Sequence, residues 1–414
     1  MQAVGIVVEY NPFHNGHHWH AQRARQLSGC QFVIGVMSGQ FVQRGEPALF
    51  DKWKRAEMAV SAGVDLVIEL PAVFAVRSAQ YFATGGIRLL QALGVVSHIC
   101  FGAEHADLAL LKKAAHAIAD HQTIQTMRAE LETGSTYAAA FGKALEAEGN
   151  IESAIFTHPN NILAIQYLDA LQNFAPGIIP IAITRQSSHY HDTALTAPFA
   201  SATAIRQILL EEMTVTGQLA ATMPTTTATI INYLLNAKRG PVTLSALSDI
   251  ILAKLRMSSL EHLEQLPNVS EGLHYKIREC ALQAGTVEEL LTLLKSKRYT
   301  RTRLQRIIIH ALLGTTKPSI ADFDKSGPLY ARILAFNQQG RSLLKHINCR
   351  TTLPLITKTT HYLTSKQRDQ QQLTPLQKML TIDTMASDIY ALGLPAAHYK
   401  AGGWDFKHSP AYLP

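Results

Sequence analysis

Two histidines flank a glycine near the amino terminus, in the segment His14-Asn15-Gly16-His17. Gly16 lets the backbone approach a phosphate closely, and a helix that begins there offers free amide groups and a positive dipole end to the anion. His14 and His17 can donate hydrogen bonds to phosphoryl oxygens, and at least one can stabilise the charge that grows as pyrophosphate leaves. The residues therefore indicate nucleotidyl transfer, a chemistry that requires no nucleophile from the protein.

The elements around the motif weigh against the alternative, which is that these are ordinary surface histidines or metal ligands. Segment 3–8 is apolar and β-branched and predicts a strand before the motif, and segment 17–27 predicts a helix after it. The pattern then continues with predicted strands at 32–37, 65–70, 98–101 and 178–184, and predicted helices at 51–62, 78–93, 159–171 and 201–212. This alternation predicts an α/β domain with a Rossmann-like parallel sheet.

A nucleotide at the motif would lie at the switch point of that sheet, between the first strand and the strand across the crevice. Gly102 follows the predicted strand 98–101, so we expect it beside the ligand, although a glycine there can also mark an ordinary turn. Asn160 and Asn161 open a predicted helix and can turn their side chains toward the same ligand.

Other nucleotide and metal motifs are missing from the sequence. No GxxxxGK[ST] P-loop or GxGxxG fingerprint follows a predicted strand, which argues against a kinase-like or NAD-dependent enzyme. There is no HExxH zinc site, and the four cysteines, Cys30, Cys100, Cys280 and Cys349, form no CxxC pair. We therefore predict no protein-bound metal and expect reduced thiols. The sequence begins with no signal-peptide pattern and contains no transmembrane run, which favours the cytoplasm.

The length of 414 residues predicts at least two domains, because a single core stops growing at roughly 250 to 300 residues. We predict a nucleotide-binding domain over 1–215 and a mainly helical domain over 216–414.

Lys and Arg exceed Asp and Glu by 38 to 31, and the formal charge of +7 favours polyanionic partners. One basic run lies in the helical part: Lys295, Lys297, Arg298, Arg301, Arg303 and Arg306. With Tyr299 interleaved, this run predicts contacts to RNA phosphates; the alternative is a solvated helix face.

Several segments of the N-terminal half resemble one family, tRNA(Met) cytidine acetate ligase, within the HxGH nucleotidyltransferase-like group. The resemblance rests on segments 4–17 (VGIVVEYNPFHNGH), 37–47 (MSGQFVQRGEP), 63–71 (GVDLVIELP), 159–163 (PNNIL) and 201–206 (SATAIR). It is weaker beyond residue 210, where it rests on the helical pattern and on segment 383–390 (DTMASDIY). His18, Trp19 and Gln40 depart from our expectation for the family.

The resemblance implies an enzyme that uses ATP and Mg²⁺ to activate acetate to acetyl-adenylate. It would then acetylate N4 of the wobble cytidine of elongator tRNA(Met). The implied catalytic residues are His14 and His17. The implied ATP-binding residues are Val7, Val8, Glu9, Tyr10, Asn11, Pro12, Phe13, His14, Asn15, Gly16, His17, His18, Trp19, His20, Gly102, Asn160, Asn161 and Arg185.

Two other functions stay open at this stage. A small-molecule adenylyltransferase, acting on a phosphopantetheine or nicotinamide precursor, uses the same loop, but it needs little beyond the α/β domain. An RNA-binding protein with a vestigial or regulatory nucleotide site is disfavoured by the intact His14 and His17. The sequence assigns no individual roles to Gln43, Arg44, Lys52 and Arg55, no tRNA or acetate contacts, and no oligomeric state.

Overall fold

The computed structural model describes residues 1–132, 137–147, 158–185 and 198–414. Its first half alternates strands and helices, as the apolar pattern predicts. In chain order the elements are β1 Ala3–Val8, α1 Asn15–Ser28, β2 Phe32–Ser38, β3 Phe41–Val42, β4 Glu46–Pro47, α2 Lys52–Val60, β5 Leu66–Leu70, α3 Ala72–Ala75, α4 Ala79–Ala92, β6 Val96–Ala103, α5 Leu108–Ala119, α6 His121–Glu132, α7 Tyr137–Ala147, α8 Pro159–Phe174, β7 Ile179–Thr184 and α9 Ala202–Glu212. The five predicted strands and the helices between them are confirmed, with small shifts at their ends.

The second half is mainly helical and contains three strands among its later helices. Its elements are α10 Gly217–Ala220, α11 Thr225–Asn236, α12 Ser248–Met257, α13 Leu260–Glu264, α14 Leu273–Gln283, α15 Val287–Leu294, α16 Arg301–Leu313, α17 Lys317–Ser326, β8 Ala331–Asn337, α18 Gln338–Asn348, β9 Leu355–Ile356, α19 Pro375–Leu392, α20 Trp404–Lys407 and β10 Ala411–Leu413, with short 3₁₀ helices at 245–247, 359–361, 367–369 and 397–399. Within the described ranges, no helix is both long and apolar enough to cross a membrane.

The main sheet has the strand order β10-β8-β5-β2-β1-β6-β7, and β9 pairs with β8. Its pairings are parallel except for β5 with β8, which is antiparallel. The predicted parallel α/β fold is confirmed. The order reverses between β1 and β6, so the switch point lies beside the HxGH loop. Strands β8, β9 and β10 come from beyond residue 215, and the division into domains at that residue stays a prediction.

Two apolar cores cover the two faces of this sheet. Alternate residues of one strand point to opposite faces, and β2 shows this directly: Ile34 and Val36 enter one core, and Val33 and Met37 enter the other. Strands that are buried on both faces are rigid. The carboxyl ends of β1 and β6 therefore hold the loops above them in fixed positions.

Candidate active site

The HxGH loop is held in shape by a hydrogen bond within the motif. His14 is the N-cap of α1, and its Nδ1 accepts a hydrogen bond from the Gly16 amide at 3.0 Å. A Cβ atom on residue 16 would lie 2.8 Å from His14 Cε1, so only glycine leaves room for this cap. Because Nδ1 accepts, the hydrogen of the neutral ring is on Nε2, which is free to act as a donor.

Three histidines of the loop and the first turns of α1 are uncharged; His14 is buried, and His17 and His20 are partly buried. The rings of His14 and His17 are 3.8 Å apart between centroids, at an interplanar angle of 32°. Burial, with Arg185 next in effect, lowers the pKa of His14 to about 3 and that of His20 to about 4. Burial and the neighbouring His14 also lower the pKa of His17 well below its ordinary value. In the described part of the chain, His17 Nδ1 and His20 Nε2 are buried without a hydrogen-bond partner. The crevice at the HxGH loop therefore holds neutral imidazole rings whose capacity to form hydrogen bonds is not used by the protein.

The opposite side of the crevice is formed by Gly102, Asn160 and Arg185. Gly102 lies in β6, and a Cβ atom there would be 3.1 Å from Arg185 Cγ. Arg185 donates from Nη1 to Asn160 Oδ1 at 3.4 Å. The charge of Arg185 contributes to lowering the pKa of His14, His17 and His20, so its guanidinium lies near the loop histidines. Imidazole and guanidinium donors beside the positive end of a helix make a site for a polyphosphate.

Other predicted ligand residues hold the scaffold with their side chains. Asn15 donates from Nδ2 to the carbonyl oxygens of Pro198 and Ala221. His18 contacts the Ala62 carbonyl oxygen through Nδ1 at 2.7 Å and Gln22 through Nε2 at 2.9 Å. Asn161 is fully buried and accepts from the His105 amide. Their assignment to ATP stays a prediction.

The remaining residues of the loop are mostly apolar and pack inward. Tyr10 and Phe13 are buried, and their rings contact that of His17. Val8 and Pro12 are also buried, and Trp19 packs against the core. Val7 lies beside Gly86. Asn11 Oδ1 accepts a hydrogen bond from the Leu49 amide at 2.8 Å. A role of these residues in binding ATP, which stays a prediction, would therefore use their backbone.

Two polar residues of the crevice were missed from the sequence. Glu104 accepts from Asn160 Nδ2 at 2.6 Å and from the Asn161 amide at 2.9 Å, so it fixes the start of α8 beside Arg185. Arg206 donates to the Asn11 carbonyl oxygen at 3.1 Å and is close enough to His14 to affect its pKa. Arg206 lies in the SATAIR segment, a usable signal, whereas no local pattern marks Glu104.

The structure also places the four residues to which the sequence assigned no role. Arg55 is fully buried and donates to four carbonyl oxygens, those of Glu9, Ser38, Gly39 and Phe50. The backbone of Gln43 bridges two parts of the fold, because its amide donates to Glu9 Oε1 at 2.7 Å and its carbonyl accepts from Arg306 at 3.4 Å. Lys52 forms buried salt bridges with Glu69 and Asp405. Arg44 lies near Glu9 and Arg206.

The basic run forms a patch whose charges are partly paired. Arg298 forms a salt bridge with Glu271 and Arg301 with Glu288, and all four side chains are exposed. Arg303 stacks on the Tyr299 ring and donates to the Asn268 carbonyl oxygen. Lys295 and Lys297 are exposed, and no salt bridge to either occurs in the described part of the protein.

A parallel α/β sheet, a capped HxGH loop at its switch point and an arginine facing that loop define a nucleotidyltransferase of the HxGH class. The sequence model described as "HIGH Nucleotidyl Transferase" matches residues 1–403. The chain is 37% identical over 414 residues to the tRNA(Met) cytidine acetate ligase of Acetivibrio thermocellus, covering 98% of each. It is 41% identical to the enzyme of that name from a Thermoanaerobacter species, covering 99% of each. A crystal structure of Thermotoga maritima TmcAL bound with alpha-thio ATP matches with a TM-score of 0.90 and 32% identity, covering 100% of both chains.

These identities extend over nearly the whole length of the relatives, so they include the helical half and the C-terminal strands. The protein belongs to the tRNA(Met) cytidine acetate ligase family. The resemblance noted in the sequence is thereby confirmed, and it reaches well beyond residue 210.

Proposed function

We propose that this protein activates acetate with ATP to acetyl-adenylate and transfers the acetyl group to N4 of the wobble cytidine of elongator tRNA(Met), in the cytoplasm. One observation carries the proposal. His14 and His17 stack at the N-terminus of α1, near Arg185, in a chain whose relatives bear this enzyme's name. The relative bound with alpha-thio ATP supports ATP as the nucleotide.

In the first half-reaction, an acetate oxygen attacks the α-phosphorus of ATP in line with the departing pyrophosphate. Charge grows on the phosphoryl oxygens as this happens, and fixed donors lower the barrier without reorganising. We assign this role to the His14 Nε2 donor and the Arg185 guanidinium, beside the positive dipole end of α1. The enzyme's contribution is positioning and charge stabilisation.

The second half-reaction needs this activation because the exocyclic amine of cytosine is a poor nucleophile. Its lone pair is delocalised into the ring, so the acyl donor must carry a good leaving group. The mixed anhydride of acetate and AMP meets that requirement. The wobble base must also be splayed from its stack to reach the crevice.

Mg²⁺ is part of the proposal as a companion of the nucleotide. In the portion of the chain that is described, no three His, Cys, Asp or Glu side chains group together to hold a metal ion. The phosphate oxygens of ATP are ligands that Mg²⁺ prefers, and the ion normally keeps several waters. We propose that Mg²⁺ arrives with ATP and neutralises its leaving phosphates.

The basic patch in the helical half is the proposed docking surface for tRNA. Replacing Lys295, Lys297 and Arg298 together by glutamate should weaken tRNA binding and flatten its dependence on salt, because each lost phosphate contact lowers the salt slope by about one unit. Binding is measured by filter retention over a range of salt concentrations. The control is the double replacement of the exposed Lys400 and Lys407 by glutamate. Unchanged affinity and slope would mean that this run is only a solvated helix face.

Exchange of labelled pyrophosphate into ATP tests the first half-reaction. The exchange should require acetate and should proceed without tRNA, because acetyl-adenylate forms before the acceptor is used. A small-molecule adenylyltransferase would instead exchange with its own acceptor and ignore acetate. Exchange that is indifferent to acetate would therefore reject the proposal in favour of that alternative.

A further inference from the structure

Glu9 ends the first strand at the crevice and presents one carboxylate oxygen that the protein does not use. It follows Val8, the last residue of β1, and precedes the buried Tyr10. Its Oε1 accepts from the Gln43 amide at 2.7 Å. Among the residues that the structure describes, no hydrogen bond reaches Oε2. The carboxylate is therefore fixed on one side and open on the other.

The hairpin that holds Glu9 is itself held against the helical half. Gly45 lies in this β3–β4 hairpin at a φ of 79°, and a Cβ atom there would be 2.3 Å from the Arg306 amide nitrogen of α16. The Gln43 carbonyl oxygen accepts from Arg306 in the same contact. The hairpin turn therefore packs tightly against α16. Because the Gln43 amide of this turn donates to Glu9, contacts from both halves of the chain position the Glu9 carboxylate.

Charged and polar groups from four elements surround Glu9. Arg44 and Glu46 lie on the hairpin, Arg206 on α9 and the Tyr167 hydroxyl on α8, and the Arg55 guanidinium of α2 is also near, donating to the Glu9 carbonyl oxygen. Burial raises the pKa of Glu9, while the Gln43 amide and Arg44 act in the opposite direction. Arg206 lowers the pKa of both Glu9 and His14, so the carboxylate and the proposed phosphate site both lie near one guanidinium.

We infer that Glu9 is the general base of the second half-reaction, and this inference rests on the proposed function. The cytidine N4 lone pair forms the new bond to the acetyl carbon while the carbon–oxygen bond to AMP breaks. AMP leaves with that electron pair, and the proton lost from N4 passes to Glu9 Oε2 and then to water. A carboxylate fixed by one oxygen, with the other open at the reacting edge of the sheet, has the geometry of such a base.

The neighbouring arginines make this base compatible with an anionic substrate. A lone carboxylate would repel acetate in the first half-reaction. Arg44 and Arg206 lie near enough to Glu9 to lower its pKa, so they also offset its charge for an incoming carboxylate. The stacked histidines are assigned to the phosphoryl oxygens, which leaves Glu9 as the carboxylate available for the amine.

The test separates the two half-reactions in the full-length protein. Glu9→Gln keeps an oxygen that accepts from the Gln43 amide but removes the base. Single-turnover transfer from preformed enzyme-bound acetyl-adenylate to tRNA should fall about 100-fold or more. Acetate-dependent pyrophosphate exchange should fall by less than tenfold. The matched control is Glu46→Gln, which removes a carboxylate of the same hairpin and should keep both rates within twofold of the wild type.

The pH profile gives a second readout that a structural role would not move. Transfer by the wild type should rise with pH through the pKa of Glu9, which burial places above the ordinary value of about 4.3, and then level off. Glu9→Gln should lose that rise. Equal losses of exchange and transfer would make Glu9 a nucleotide-binding residue, and unchanged transfer would show that the proton leaves by another route; either result overturns the inference. Absence of acetate-dependent exchange in the wild type would instead reject the proposed function.

Discussion

Replacing His14 or His17 by alanine is expected to lower acetate-dependent pyrophosphate exchange by about 100-fold or more, the usual cost of losing a donor to a developing oxyanion. His14 loses both its Nε2 donor and the cap on the Gly16 amide. His17 loses the ring that stacks on His14 at 3.8 Å. The measurement is the exchange rate at saturating acetate and ATP, together with circular dichroism to verify folding.

His116→Ala is the control, since His116 is exposed on α5. The pH dependence adds a check. The pKa of His14 is lowered to about 3 and that of His20 to about 4, so these rings are already neutral at pH 6.5 and do not gain a proton until well below it. The kcat/KM of exchange should therefore show no fall from these two rings as pH drops through 6.5. Full activity of both alanine variants would remove the histidines from the mechanism.

Replacing Asp405 by alanine should destabilise the protein by about 3 to 5 kcal/mol, because it leaves buried cations short of their partner. Lys52 Nζ lies 2.8 Å from Asp405 Oδ1 and 2.7 Å from Glu69 Oε1. Arg332 donates to the same Asp405 oxygen and lies 3.4 Å from Glu69 Oε2. Each of these four side chains is at most 4% exposed. After the change, Glu69 would be the one carboxylate that keeps a salt bridge to either cation among the described residues.

The free energy of unfolding is measured by urea denaturation, and the control is Asp322→Ala, at an exposed position on α17. The cluster joins residues 52 and 69 of the first half to residues 332 and 405 of the second. Loss of stability in Asp405→Ala should therefore be accompanied by loss of acetate-dependent exchange near the unfolding midpoint. A destabilisation within the range of the Asp322 control would show that the ion cluster contributes nothing measurable.

Much of the sheet could be predicted from the sequence because its strands carry a local signal. Segments 3–8 and 32–37 are continuous apolar runs, as strands buried on both faces must be. The C-terminal strands carry no such signal. β8 has Arg332 near its start, and its charge is tolerated only because Glu69 and Asp405 lie opposite it in the folded chain. We expected helices in that half and missed all three of its strands.

The residues of the site likewise divide into those that a local sequence pattern reveals and those that it does not. The histidines, Gly16 and Gly102 could be placed because a strand, a turn and a helix in sequence define a switch point. Residues whose role depends on distant contacts could not be placed. Glu104 is 56 residues from Asn160, and Arg206 is 195 residues from the carbonyl of Asn11 that it holds. Conversely, Asn15 and His18 belong to the motif by position, but their side chains are turned toward the scaffold.

The most direct test of the account is the fate of labelled acetate. The protein is incubated with labelled acetate, ATP, Mg²⁺ and total tRNA, and the RNA is digested to nucleosides and to anticodon fragments for mass spectrometry. We predict label in N4-acetylcytidine, at the wobble position of elongator tRNA(Met), with AMP and pyrophosphate formed in equal amounts. Label that stays out of RNA while ATP is consumed, or that enters another nucleoside, would contradict it.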